Sequence, residues 1–140
     1  MAIDFFNSDN IELRLNRNEI IKRFEKIAFF EHFKIKQLNF IFVLDKEILL
    51  INNKYLKHSY PTDVISFDYS EAQFLEGDLF VSIDSILINS KKFSIKFKDE
   101  LYRVMIHGLL HLMKFNDKTL FEIKVIRRKE FYYLRLFSNL

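Results

Sequence analysis

The 140-residue chain has no cysteine, one proline and two glycines. The lack of cysteine excludes disulfides, a thiolate nucleophile and any cysteine-ligated zinc site. It also fits a reducing compartment. So little glycine and proline leaves no material for flexible linkers. No segment is low-complexity, and nothing repeats at solenoid period. No run of about 18 apolar residues occurs, so no segment is expected to span a membrane. Asp4 interrupts the N-terminus before a basic region followed by an apolar run could form, so no signal peptide is expected. The expected location is the cytoplasm. Charge is nearly balanced as well, with 22 Lys+Arg against 19 Asp+Glu for a net +3. A pI near 9.0 mildly favours an anionic partner. Most of the basic residues are interleaved with acids and read as solvated helix faces, so the charge permits RNA binding without requiring it.

The core is well supplied. Hydrophobic residues make up 49% of the chain and 17 are phenylalanine, enough for one compact domain over residues 1–140. The abundance of Phe, Ile, Lys and Asn resembles the drift of an AT-rich genome, so phenylalanine number carries little functional weight. Ile3 to Phe6 suits a short edge strand. Asn16 and Glu19 suggest a capping box opening a helix with Ile20, Ile21, Phe24, Ile27 and Ala28 on one face. Leu38 to Leu44 reads as a strand, and Asp45 as the cap of a second helix ending near Tyr55. Val64 to Phe67 reads as a third strand, and Gly77-Asp78 as the opening of a fourth, Leu79 to Ile83. Asp84, Asp99 and the pair Thr119 and Glu122 are expected to cap three more helices. The predicted class is α+β, a mixed sheet of about four strands covered by about five helices.

One cluster can do chemistry. His107 and His111 stand four apart in a predicted helix, so their rings share a face. Asp117, just past the helix end, can fold back toward them. Two imidazoles and a carboxylate form a common catalytic zinc set that leaves the fourth position for water. Leu101, Val104, Met105, Leu109 and Leu112 form the apolar stripe of this helix. Arg103, His107, His111 and Lys114 follow the neighbouring stripe, at the edge of the buried face. Zinc peptidases of the HExxH type carry a glutamate beside the first histidine as general base. Here that position is Gly108, which disfavours a peptidase and points to close approach by a packed element or a substrate.

Three ordered segments resemble the YbeY family of bacterial metal-dependent endoribonucleases, the rRNA maturation factors. His107-Gly108-Leu109-Leu110-His111-Leu112 matches the start of the family's HGxLHLxGYDH signature. Pro61-Thr62-Asp63-Val64-Ile65-Ser66-Phe67 is close to its PTDVLSF segment. Gly77-Asp78-Leu79-Phe80-Val81-Ser82 is similar to its GDIxIS strand entry. The resemblance implies a zinc-dependent endoribonuclease acting on rRNA and the small ribosomal subunit, with no membrane or DNA partner. Its metal ligands would be His107, His111 and Asp117. There are departures. Asp117 stands where the family has a third histidine, Asn116 on its aspartate and Lys114 on its glycine, which suits a left-handed turn. Leu56 falls where many members carry an arginine, so Lys57 or His58 is expected to take over that phosphate contact. The loop before Pro61 faces the metal cleft in the family, which makes His58 a candidate proton shuttle. Asp63 is expected to fix its turn, and His32 to be a plain surface residue.

Two other readings remain open: a metal hydrolase of another substrate class, and a ribosome-binding factor that keeps its metal for stability. For the nuclease reading, the aspartate has a chemical consequence. A carboxylate partly neutralises an ion that three imidazoles would leave fully charged, so bound water should be a weaker acid. The rate optimum of the wild type should therefore lie at higher pH than that of Asp117→His. Coincident pH–rate profiles for the two proteins would refute this.

Overall fold

The computed structural model describes residues 2–8, 11–56 and 62–140. Its elements run β1 (Ile3–Asn7), α1 (Arg17–Phe30), β2 (Lys34–Val43), α2 (Asp45–Leu56), β3 (Val64–Asp68), β4 (Phe74–Ser82), α3 (Ile83–Lys92), α4 (Phe97–Leu112), α5 (Leu120–Leu134) and a 3-10 turn, Arg135–Phe137. The four strands form one mixed sheet in the order β1-β2-β4-β3. β1, β2 and β4 are parallel, while β3 runs antiparallel to β4 at the edge. This is the expected α+β class, with four strands and five α-helices among the described residues.

Alternation along the strands decides which helix covers which face. Phe5, Leu38, Phe40, Phe42, Leu75, Leu79 and Val81 point to the main core, where they meet the apolar stripes of α1, α4 and α5. Ile41, Val43, Ile65, Phe67 and Phe80 point the other way and pack with Ile48 and Ile51 of α2. Farther along that second face the sheet turns polar, with Gln37 donating to Asp4 and Asn39 donating to Asp78. α4 is thus a buried central helix, with Leu101, Val104, Met105, Leu109 and Leu112 fully enclosed.

Several caps differ from the sequence expectation. Asn16 does precede α1, but its side chain caps nothing, and Glu19 pairs with Arg23 at 2.6 Å instead. Asp45 is the first residue of α2, and its carboxylate accepts the hydroxyls of Ser82 and Ser85. Ser82, not Asp84, caps α3, accepting from the Ser85 N–H at 3.1 Å. α4 begins at Phe97, which puts Asp99 inside the first turn, where negative charge is favoured by the helix dipole. Thr119 and Glu122 do form the expected reciprocal capping box of α5. Gly77 and Asp78 lie within β4, which starts at Phe74 because it pairs with β2 from Lys34 onward.

The shortage of glycine reappears as backbone geometry. Helices α1, α3 and α4 each end in a left-handed residue, and none of the three is glycine: His32 (φ 67), Ser94 (φ 55) and Lys114 (φ 73). Each ending carries the paired bonds of a Schellman motif. For α4 these run from the Lys114 N–H to the His111 carbonyl and from the Phe115 N–H to the Leu110 carbonyl, both at 3.0 Å. The two glycines serve close packing instead. A Cβ on Gly77 would lie 2.7 Å from the Phe67 carbonyl oxygen, and one on Gly108 would press on Leu79 and Val64 at 3.3 Å. The close approach at Gly108 is therefore the sheet itself. A left-handed residue other than glycine carries about 1–2 kcal/mol of strain, partly offset by the greater chain freedom of glycine when unfolded. Ser94→Gly should accordingly raise stability by about 1 kcal/mol, and a thermal melt of the variant at or below the wild-type Tm would contradict this.

Candidate metal centre

The stripe of α4 beside the core carries Arg103, His107 and His111 at successive intervals of four, so the three side chains stack along one edge of the helix. The left-handed turn at Lys114 then reverses the chain and brings Asp117 back over that edge. Lys114 itself reaches across to Asp68 at the end of β3, at 2.6 Å. Burial raises the Asp68 carboxyl, but its bonds from Lys114 and Ser70 outweigh this and hold it below the usual range.

The three predicted ligands do converge. Nε2 of His107 lies 2.8 Å from Nε2 of His111. Oδ2 of Asp117 stands 3.6 Å from the first and 3.4 Å from the second. Donors bound at about 2.0–2.1 Å around a tetrahedral ion are about 3.3 Å apart. The aspartate distances match that spacing, and the two histidine nitrogens stand somewhat closer, at hydrogen-bond distance. The donor set therefore fits a divalent ion of the zinc type.

Glu130 fixes the geometry of this group. It reaches from α5 to Nδ1 of His107. A carboxylate only accepts, so Nδ1 of His107 donates to it, and Nε2 is the ring nitrogen left facing the cleft. Burial raises the Glu130 carboxyl, yet the bond from His107, the charge of His107 and the guanidinium of Arg103 together bring it below its ordinary value. Arg103 grips Glu100 through two nitrogens, at 2.7 and 2.8 Å, and Glu130 at 3.0 Å. Those bonds keep the guanidinium firmly protonated against its burial. Glu100 and Glu130 are only 2% and 4% exposed, so one arginine serves two enclosed carboxylates. His111 is pushed below the usual imidazole range, chiefly by burial and then by the neighbouring His107, which favours the neutral, ligating form.

A cleft of about 460 Å³ opens over these donors, between β3 and the edge of α4. Thr62, Asp63, Ser66 and Asn52 line it opposite the histidines. Asp63 faces the cleft and lies 3.6 Å from Arg103, and its backbone carbonyl, not its side chain, accepts the Ser82 N–H. Its carboxyl is raised by burial, with Arg103 and His107 opposing. His58, Lys57 and Pro61 lie outside the described residues. His32 is a left-handed residue that closes α1, consistent with its expected surface role.

Glu130 is the residue that sequence reasoning missed. Its signal was present: Ile126, Glu130, Tyr133 and Phe137 recur at helical spacing and are all buried, so a carboxylate occupies an apolar stripe. An enclosed carboxylate is uncommon without a partner.

Fold and donor set together define a small α+β domain with a histidine and carboxylate group able to hold a metal ion. The family model described as Endoribonuclease YbeY matches residues 4–138. An Endoribonuclease YbeY of Azobacteroides pseudotrichonymphae genomovar. CFP2 is 41% identical over 130 residues, covering 93% of this chain and 94% of that protein. That of Karelsulcia muelleri (strain GWSS) is 50% identical over 115 residues, covering 79% and 82%. The solution structure of TM1509 from Thermotoga maritima superposes with a TM-score of 0.64 at 26% identity, covering 96% of this chain and 87% of that one. The chain belongs to the Endoribonuclease YbeY family, and is thus a hydrolase acting on RNA.

Outer partners of a ligating histidine typically contribute 10–100-fold to metal affinity. Glu130→Gln, which keeps the shape and removes the charge, should weaken zinc binding by about that factor in competition with a chelating dye. Unchanged affinity would show that Glu130 only fills the core.

Proposed function

We propose that the protein is a zinc-dependent endoribonuclease that cuts single-stranded RNA in maturation of the small-subunit rRNA 3′ end, and so acts in ribosome biogenesis in the cytoplasm. The single observation supporting this most is the convergence of His107, His111 and Asp117 at ligand spacing beneath an open cleft. Residues 1–140 form the catalytic domain in this reading, and the three side chains hold one zinc ion. When bound, zinc supplies Lewis-acid polarisation of a phosphoryl oxygen and acidifies water toward neutrality.

The remaining work falls to the chain. Glu130 holds the His107 ring so that its Nε2 faces the cleft, and Arg103 keeps Glu130 ionised. Burial and the neighbouring His107 push His111 below the usual imidazole range, which favours its neutral form. Asp117 adds a negative charge to the donor set and is the member most exposed to solvent. The cleft is open along β3, so an extended strand of RNA can lie across it with one phosphodiester over the donors. We assign proton transfer to His58, whose side-chain type titrates near neutrality, and offset of phosphate charge to Lys57 beside it. Gly108 faces Leu79 and Val64 rather than the cleft, so this site has no counterpart to the peptidase glutamate.

Elemental analysis together with RNA cleavage tests the reading. Purified protein should carry about one zinc per chain, the stoichiometry of a three-ligand catalytic site. His111→Ala, which leaves the bond from His107 to Glu130 in place, should remain folded and lose at least about 100-fold of its cleavage rate. Wild-type cleavage by that variant would refute the assignment. Ribosome binding by metal-free protein with no cleavage at any metal loading would favour a binding factor instead.

A further inference from the structure

A strongly exposed aromatic surface of the fold lies away from the cleft. Along α5, Phe121, Lys124, Arg128 and Tyr132 recur at intervals of three and four and so share a face. That face points away from the stripe of Ile126 and Glu130, which packs on the core and on His107. With Phe30 from the last turn of α1, these residues line a groove of about 730 Å³. At Phe30 and Tyr132 it runs on into a second recess of about 460 Å³ that ends at Arg135. Phe121, Tyr132 and Phe30 are 76%, 55% and 45% exposed, far more than rings of this size usually are.

Charge decides what could cover such a surface. Lys124, Arg128, Lys129 and Arg135 line the two recesses, and no carboxylate does. Lys129 is held by Glu31 at 2.9 Å, but Lys124 and Arg128 have no ion-pair partner among the described residues. The chain as a whole carries a net charge of only +3, whereas the residues lining these two recesses include four cations and no acid. A protein-binding patch would be expected to have a centre depleted in lysine. Rings interleaved with unpaired cations are instead what a single strand of nucleic acid requires, since bases stack on the rings while phosphates meet the cations. From Phe121 to Tyr132 the face extends about 16 Å along the helix, at about 1.5 Å per residue.

We propose that this groove holds a single-stranded stretch of the RNA substrate at a distance from the cut, as a second RNA subsite separate from the metal cleft. This rests on RNA being the substrate, as family membership gives. Because the two sites lie on opposite faces of α5, a short oligonucleotide occupies only one of them, whereas a long unstructured RNA engages both. The groove then governs KM for long substrates and leaves turnover at the cleft unchanged.

Fluorescence anisotropy with a long unstructured RNA, alongside cleavage of long and short substrates, tests this. Phe121→Ala and Tyr132→Ala should each weaken binding of the long RNA by about tenfold, as loss of one stacking ring does. The double variant Lys124→Gln/Arg128→Gln should lower the slope of log affinity against log salt by about 1.4, at about 0.7 for each phosphate that no longer meets a cation. In all of these variants KM for the long RNA should rise while kcat and short-substrate cleavage hold. Unchanged affinity and salt slope would overturn the proposal. So would sedimentation showing a wild-type dimer that Phe121→Ala converts to monomer without loss of RNA affinity, which would make a second copy the occupant. His111→Ala, which leaves α5 held by the bond from Glu130 to His107, should bind the long RNA normally; its retention of cleavage would fault the cleft reading and leave the groove standing.

Discussion

Glu130 meets His107 where the buried core opens onto the cleft. A carboxylate that deep is tolerated only with its charge matched and its oxygens bonded, and removing one partner of a buried pair typically destabilises by about 3–5 kcal/mol. Here the match is double, Nδ1 of His107 on one oxygen and Arg103 on the other. Satisfying Glu130 therefore presses α5 onto the histidine edge of α4. It also settles which nitrogen of His107 is free. Stability and site geometry are set by the same bond, and the convergence of His107, His111 and Asp117 follows from it together with the reversal at Lys114.

That reversal shows how a helix can end without glycine and keep its turn. Lys114 occupies a left-handed position that glycine would fill at less strain, and its side chain takes up the bond to Asp68 that ties α4 to the end of β3. The turn is kept, so the following carboxylate lands over the two imidazoles. His32 and Ser94 close α1 and α3 in the same way. The two glycines lie where neighbours come close, Gly77 against the Phe67 carbonyl and Gly108 tightly against Leu79 and Val64, and the ends of α1, α3 and α4 fall to residues that accept some strain.

Much of the site was legible in the order of residues alone. Helical spacing put the histidines on one face, Gly108 ruled against peptidase chemistry, and apolar periodicity separated the core stripe from the ligand stripe. The strands were legible from β-rich runs, though β4 begins earlier than Gly77 because pairing with β2 extends it. Caps were read less well. Asp45, Asp84 and Asp99 are all suitable capping types, but Ser82 takes the cap of α3, no side chain caps α4, and Asp45 and Asp99 fall inside the first turns of α2 and α4, a difference of one to three positions that spacing alone does not resolve. Glu130 was hidden for a related reason. Its partner lies 23 residues earlier on another helix, and only the packing of α5 on α4 brings the two together.

Nitrogen-resolved NMR of the histidine rings during zinc titration tests the central claim most directly, because it reads the state of each ring nitrogen without requiring activity. Nε2 of His107 and of His111 should shift on binding one equivalent, while Nδ1 of His107 keeps its proton on Glu130 throughout. Zinc engaging Nδ1 of His107, or leaving both rings unchanged, would contradict a metal centre built on this bond.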